Sequence, residues 1–181
     1  MKILFILLFL NLSMFANPKA KLYNLYQDKN YKGACRLGML NYPKFTRDEA
    51  FISLYAFSCL EADYIDRLAV PISALKYSKE ARSNAAYFSI ILMQKKLLYH
   101  ALIDHYDIST LNLPTTEHIL SKVFNLYSQD QKNKTNNILH YTDPEDRKIT
   151  YKLYIETHPH IKKMVIEVFH DNILHKRHLY W

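Results

Sequence analysis

The chain has 181 residues, of which 49% are apolar and 14% aromatic, and its formal net charge is +7. A composition this apolar excludes an intrinsically disordered chain, and the length suits one ordinary domain or two small ones. Only two glycines occur, Gly33 and Gly38, which argues against phosphate-cradling loops and dinucleotide-binding fingerprints.

Residues 1–16, MKILFILLFLNLSMFA, have the pattern of a secretory signal peptide. Lys2 provides the positive start, Ile3 to Leu10 form the apolar core, and Ala16 is a small residue at the cleavage point. The apolar core is too short for a membrane span, which needs about 20 apolar residues. We therefore expect a cleaved signal peptide, a periplasmic or secreted protein, and no transmembrane anchor in the mature chain. An uncleaved N-terminal anchor is the alternative.

Residues 17–129 are predicted to form a helical domain. Leu22, Leu25 and Tyr26 make the first apolar stripe, and a second helix follows it. The sequence Asn41-Tyr42-Pro43 predicts a break, because proline disfavours helical geometry in the residue before it. The domain therefore opens with two helices and a turn.

Four more helices are predicted after this break. Thr46-Arg47-Asp48-Glu49 has the spacing of a capping box, in which the threonine opens a helix. The next helix contains Pro71, which fits in a first turn or at a kink. Ser83 is predicted to cap the longest helix, residues 84–104, and residues 115–117 open the last one. Six helices joined by short turns indicate three helical hairpins.

Cys35 and Cys59 are the cysteines of the chain, and an even number in an oxidising compartment predicts a disulfide. The bridge would stabilise the fold by about 3.5 kcal/mol on the chain-entropy model. On helices joined near residues 42–46, the cysteines would be offset by roughly 9 Å, above the ~7 Å limit for bridged Cα atoms. A longer turn or a later start of the second helix removes that offset. Two buried free thiols are the alternative.

The segment from Ala56 to Met93, AFSCLEADYIDRLAVPISALKYSKEARSNAAYFSIILM, places small residues and tyrosines where paired helices would cross. In this it resembles tetratricopeptide and Sel1-like helical repeat proteins exported by bacteria. The resemblance implies a stacked-hairpin solenoid that grips partners in a groove. Such proteins commonly act as adaptors and not as catalysts.

Residues 130–137 are polar and are predicted to be a linker, and beyond them the apolar period changes. Apolar and polar residues alternate there, as in strands with one buried face. The predicted strands are 138–141, 149–155, 163–169 and 173–181. We therefore predict an α+β fold, in which residues 138–181 form a three- or four-stranded antiparallel β meander packed on the helices. One more helix at 161–178 is the alternative.

Three groups of residues are candidates for chemistry. Five tail histidines could form a zinc or copper site: His158, His160, His170, His175 and His178. His100 and Asp104 lie four apart on a helix and could form a catalytic dyad, although a structural hydrogen bond is commoner. Asp63 and Asp66 could share a helix face, although carboxylates at a helix end more often cap it.

No catalytic motif stands out in the sequence, so we predict a non-catalytic interaction or scaffold module of an envelope assembly. Its expected partner is another envelope protein. No cofactor is expected. The sequence has no nucleic-acid-binding motif, which argues against nucleic acid as a partner. Positive residues are interspersed with Asp and Glu, which predicts a solvated surface. The alternatives are a metal-binding protein that uses the tail histidines and an enzyme that acts on the cell wall; a small-molecule ligand is left open.

Overall fold

The computed structural model describes residues 17–130 and 137–181, and within these ranges the fold is α+β. The predicted signal peptide and most of the predicted linker lie outside the described residues. The helices are α1 (Pro18–Gln27), α2 (Tyr31–Asn41), α3 (Glu49–Glu61), α4 (Ala69–Ala74), α5 (Lys79–Asp104) and α6 (Ile119–Gln129), with 3-10 turns at Tyr42–Lys44 and Ile65–Leu68. The strands are β1 (Ile138–Thr142), β2 (Ile149–His158), β3 (Ile161–His170) and β4 (Ile173–Tyr180).

The predicted capping box at Thr46 is wrong, because Asp48 caps α3 instead. Its carboxylate accepts a hydrogen bond from the N–H of Phe51 at 3.0 Å. Glu49 does not reach back to Thr46; its carboxylate accepts the main-chain N–H groups of residues 76, 77 and 78. These bonds, with that of Tyr77 the largest contribution, lower the pKa of Glu49 to about 2.

The start predicted for the longest helix is also wrong. Ser78, and not Ser83, caps α5, and its hydroxyl accepts from the N–H of Ala81 at 3.0 Å. The loop before α5 is held by Glu49, a residue of α3, so the position of the cap depends on a contact between distant segments. Pro71 lies in the first turn of α4, one of the two places predicted for it.

The hairpin of α2 and α3 brings Cys35 and Cys59 together. Their Sγ atoms are 2.05 Å apart and their Cα atoms 4.7 Å apart, which is disulfide distance. The expected offset is removed because a 3-10 turn lengthens the connection and α3 begins only at Glu49. Gly38 allows the helices to approach closely, since a Cβ atom there would lie 2.6 Å from the ring of Tyr55.

The four strands form an antiparallel sheet in the order β1-β2-β3-β4, a meander as predicted. The residues Pro159 and His160 turn β2 into β3. Asp171 and Asn172 turn β3 into β4 with φ angles of 49° and 66°, the left-handed pair that suits a two-residue hairpin. The predicted alternation is confirmed by the register, since Leu153 pairs with Ile166, and both are fully buried.

One hydrophobic core joins the helices and the sheet. Its members include Phe88 and Leu98 of α5, Phe124 of α6, and Leu153 and Ile166 of the sheet. α5 is central, because it contacts α3, α4 and α6 as well as β2. None of the helices that the structure describes is both long enough and apolar enough to cross a membrane.

Candidate functional site

The structure does not bring the five tail histidines together. His160 lies in the β2–β3 turn, and His170 and His175 are exposed near the other end of the sheet. The Nε2 atom of His158 lies 3.5 Å from the Glu156 carboxylate, an ordinary surface pair. Among residues 17–130 and 137–181, no three His, Cys, Asp or Glu side chains are arranged to hold a metal ion.

His100 and Asp104 do meet, with Nδ1 and Oδ2 2.8 Å apart, but both side chains are exposed at the end of α5. The His100 ring stacks on Tyr106 with the centroids 4.7 Å apart. The next residue, His105, ends the helix in the left-handed conformation with φ 57°. The pair is therefore an exposed hydrogen bond near the C-terminus of α5.

Asp63 forms the centre of a polar junction between the helices and the sheet. It follows α3 with φ 63°, and the N–H of Tyr64 returns to the carbonyl of Cys59, as in a Schellman C-cap. The Asp63 Oδ1 atom lies 2.7 Å from His178 Nδ1 and accepts the hydroxyl of Tyr180 at 3.1 Å. Both partners are buried on β4, so this carboxylate ties the last strand to the helices.

A second histidine, His118, stands beside this junction at the start of α6. Its Nδ1 accepts the N–H of Leu120 at 3.2 Å and so caps the helix. Burial lowers the pKa of His118 to about 4, and the neighbouring His178 acts in the same direction. His118 is therefore neutral at physiological pH, which agrees with an Nδ1 atom that accepts a hydrogen bond.

Lys95 is a nearly fully buried cation, with 2% of its side chain exposed. Its Nζ donates to Asp66 Oδ2 at 2.9 Å and to the main-chain oxygen of Trp181 at 2.5 Å. Burial lowers the pKa of Lys95, and Asp66 opposes that effect. Burial would raise the pKa of Asp66, but hydrogen bonds from Lys96 and Lys95 outweigh it and lower the pKa.

These groups line one side of a cavity of about 310 Å³ between the end of α3, the following 3-10 turn and the end of β4. The lining residues are Asp63, Tyr64, Ile65, Asp66, Arg67, Lys95, Tyr180 and Trp181. A cavity with two carboxylates is what a cell-wall-acting enzyme would require. Acid–base hydrolysis needs one carboxyl with a raised pKa, however, and the pKa of Asp66 is lowered.

A different surface carries the excess positive charge. Residues 17–47 contain seven Lys and Arg against one acid, Asp28. Lys19 is paired with Asp48. The other six are exposed and have no ion-pair partner among the described carboxylates: Lys21, Lys29, Lys32, Arg36, Lys44 and Arg47. We call these six, with the exposed side chains of Tyr23, Met39 and Leu40, the basic hairpin surface.

The basic hairpin surface conflicts with local helix electrostatics. Neither α1 nor α2 has an acidic residue in its first turn, where the helix dipole favours one. Lys32 and Arg36 are four apart on α2, and such like-charged neighbours destabilise a helix by about 0.2–0.5 kcal/mol. Leu40, 64% exposed, continues the same row one turn later. An anionic partner would relieve this repulsion and cover the leucine.

No family model, curated protein or solved structure matches this chain. What can be said of the fold and of the sites therefore comes from the residues and contacts of this chain.

Several of these groups escaped the sequence analysis. Lys95 lies within a largely apolar helical stretch, and His118 stands at the polar start of another, so neither position indicates a site. Arg67 follows the singled-out Asp66 directly, yet nothing local indicates a cavity there. The basic hairpin surface could have been found, since counting charge by segment shows that the positive residues are not evenly interspersed.

Proposed function

We propose that this protein is an exported, non-catalytic interaction module of a bacterial envelope assembly, and that it binds its partner through the basic hairpin surface. The signal-peptide pattern of residues 1–16 supports export to the periplasm or beyond. The cysteine pair at disulfide distance suits an oxidising compartment. The resemblance to tetratricopeptide and Sel1-like repeats supports an adaptor role, because such proteins commonly bind partners and do not act as catalysts.

The observation that carries this proposal is that residues 17–47 present six exposed cations without an ion-pair partner among the described carboxylates, together with three exposed apolar side chains. The complementary partner is an acidic protein surface. Opposite charge speeds association and selects the partner, while desolvated aromatic, aliphatic and arginine side chains contribute most of the affinity. The side chains of these kinds on the surface are Tyr23, Met39, Leu40, Arg36 and Arg47.

The test is a capture experiment from envelope extract with the mature chain, residues 17–181, as bait. The variant Lys32→Glu/Arg36→Glu reverses two charges on the basic hairpin surface. The control Arg147→Glu/Lys148→Glu reverses two exposed charges at the β1–β2 turn. We expect an acidic envelope protein to be captured by the wild type and the control, and its purified form to bind the first variant at least about 10-fold more weakly.

Two results would contradict the proposal. The first is that no protein is captured specifically, or that the hairpin variant and the turn variant bind a captured protein equally well. The second is that the protein accumulates in the cytosol with residues 1–16 still attached. Intact mass and N-terminal sequencing of the purified protein check this, and we expect a chain that begins at Asn17.

A further inference from the structure

We propose that the cavity between the end of α3 and the end of β4 binds a small zwitterion, an α-amino acid or a dipeptide. In this site the ligand carboxylate pairs with Arg67 and the ligand ammonium pairs with Asp63. Both residues line the cavity of about 310 Å³. The site is separate from the basic hairpin surface and serves a different kind of ligand.

Arg67 has hydrogen-bonding capacity that the described residues do not use. Its guanidinium stacks on the ring of Tyr64, with 4.4 Å between Cζ and the ring centroid. The one hydrogen bond that it makes within residues 17–130 and 137–181 is a weak one from Nη1 to Cys35 Sγ, at 3.6 Å. A stacked guanidinium is held in its plane with its N–H edge free, which is the geometry that binds a carboxylate in a bidentate manner.

Asp63 offers the complementary charge. Its Oδ1 atom is occupied by His178 and Tyr180, whereas Oδ2 accepts no hydrogen bond from any residue in the described part of the chain. The side chain is 20% exposed, so solvent or a ligand can reach it. A carboxylate oxygen with an open lone pair accepts an ammonium N–H readily. The backbone of Asp63, held by the C-cap of α3, fixes where that oxygen lies.

The charge balance of the lining selects the ligand class. Asp66 pairs with Lys95 at 2.9 Å and with Lys96 at 2.8 Å, and Lys95 also donates to the main-chain oxygen of Trp181. The other two charged side chains of the lining are Arg67 and Asp63. A plain anion would pair with Arg67 but leave the open Oδ2 atom of Asp63 without a partner, and a plain cation would do the reverse. A zwitterion supplies a partner to both groups. The cavity is at the lower end of the range for ligand pockets, about 300–1,000 Å³, which indicates a small ligand.

The rest of the lining is apolar and suits an apolar side chain. Ile65 is 1% exposed, and Tyr64 and Tyr180 present their rings. Burial and the carboxylate of Asp63 raise the pKa of Tyr180 well above its usual value, so its hydroxyl stays protonated. L-Leucine and L-phenylalanine are therefore suitable probes, and the dipeptide leucyl-leucine tests a peptide as the source of the same two charges.

Isothermal titration calorimetry on the mature chain tests the site with matched ligands. L-Leucine has both charges, N-acetyl-L-leucine lacks the ammonium, and L-leucinamide lacks the carboxylate. We expect leucine, phenylalanine or leucyl-leucine to bind, and both blocked compounds to bind at least about 10-fold more weakly than leucine. Binding of leucine alone identifies a free amino acid as the ligand, and binding of the dipeptide alone identifies a peptide; either result supports the site.

Two variants connect the binding to the named residues. Arg67→Gln should lower the affinity for leucine at least about 10-fold and leave the affinity for leucinamide unchanged. Asp63→Asn keeps a side chain that tolerates φ 63° and can still accept a hydrogen bond from His178. It should lower the affinity for leucine but not the affinity for N-acetyl-leucine. The control Asp171→Asn makes the same exchange at another positive-φ aspartate, in the β3–β4 turn. The control Arg147→Gln removes an exposed guanidinium outside the cavity lining.

The proposal is overturned if no zwitterion binds at millimolar concentration, or if the blocked compounds bind as well as leucine. It is equally overturned if Asp63→Asn binds leucine like the wild type or if the control variants lose as much affinity as the site variants. Should Arg67→Gln fail to fold, the series of blocked ligands and the Asp63→Asn variant still decide the matter.

Discussion

Replacing both Cys35 and Cys59 by alanine should lower the free energy of unfolding by at least about 3.5 kcal/mol, the loop-entropy contribution of the disulfide. The two residues are 24 positions apart, so their bond closes a loop of about 25 residues in the unfolded chain. Removing it returns about 12 cal/mol/K of chain entropy to the unfolded state, which corresponds to that free energy at 25 °C. For a chain of this size, each kcal/mol lowers the melting temperature by about 2–4 °C, so the total shift is about 7–14 °C.

Urea denaturation followed by circular dichroism measures the change. The wild type treated with a reductant is the second sample for comparison, because reduction opens the loop but leaves both sulfur atoms in the core. The difference between the reduced wild type and the alanine variant then isolates the lost packing of two fully buried side chains. If thiol titration shows complete reduction and the free energy falls by less than ~1 kcal/mol, the loop-entropy argument fails.

Gly38→Ala should lower the free energy of unfolding by about 1–3 kcal/mol, because the added methyl would overlap the Tyr55 ring. In urea denaturation it should cost more than Gly33→Ala, whose methyl meets only the movable Asn30 side chain; the reverse order would contradict this packing. His118→Asn keeps a capping side chain at the start of α6. In this variant the free energy of unfolding should fall less steeply than in the wild type as pH falls from about 6.5 to about 4. In the wild type the unfolded chain takes up a proton there and the folded one does not; equal slopes in pH-dependent melting would refute this.

The sheet could be predicted from the sequence because its signal is local. Tyr151 and Leu153 lie two apart in one strand and point to one buried face, so alternation alone locates them. Asp171 and Asn172 indicate their own turn by tolerating positive φ angles. Ser78 was missed as a cap because its loop is held by the carboxylate of Glu49, which comes from another helix.

The junction and the cavity could not be predicted because their contacts join distant parts of the chain. His178 and Asp63 are 115 positions apart, and Lys95 and the oxygen of Trp181 are 86 apart. His178 is predicted from the sequence as one ligand of a metal site, but its partner in the structure is the carboxylate of Asp63 at a helix end and not the other tail histidines. No short-range pattern encodes such pairs.

The bond from Lys95 to the main-chain oxygen of Trp181 couples the closing of the helices to the docking of β4. Lys95 donates to Trp181, directly after β4, and Asp63 binds His178 and Tyr180 of β4. Until that strand arrives, closing the helices over Lys95 would confine an ammonium group with one of its two acceptors missing. The tight closure of the helices over Lys95 and the docking of β4 therefore depend on each other.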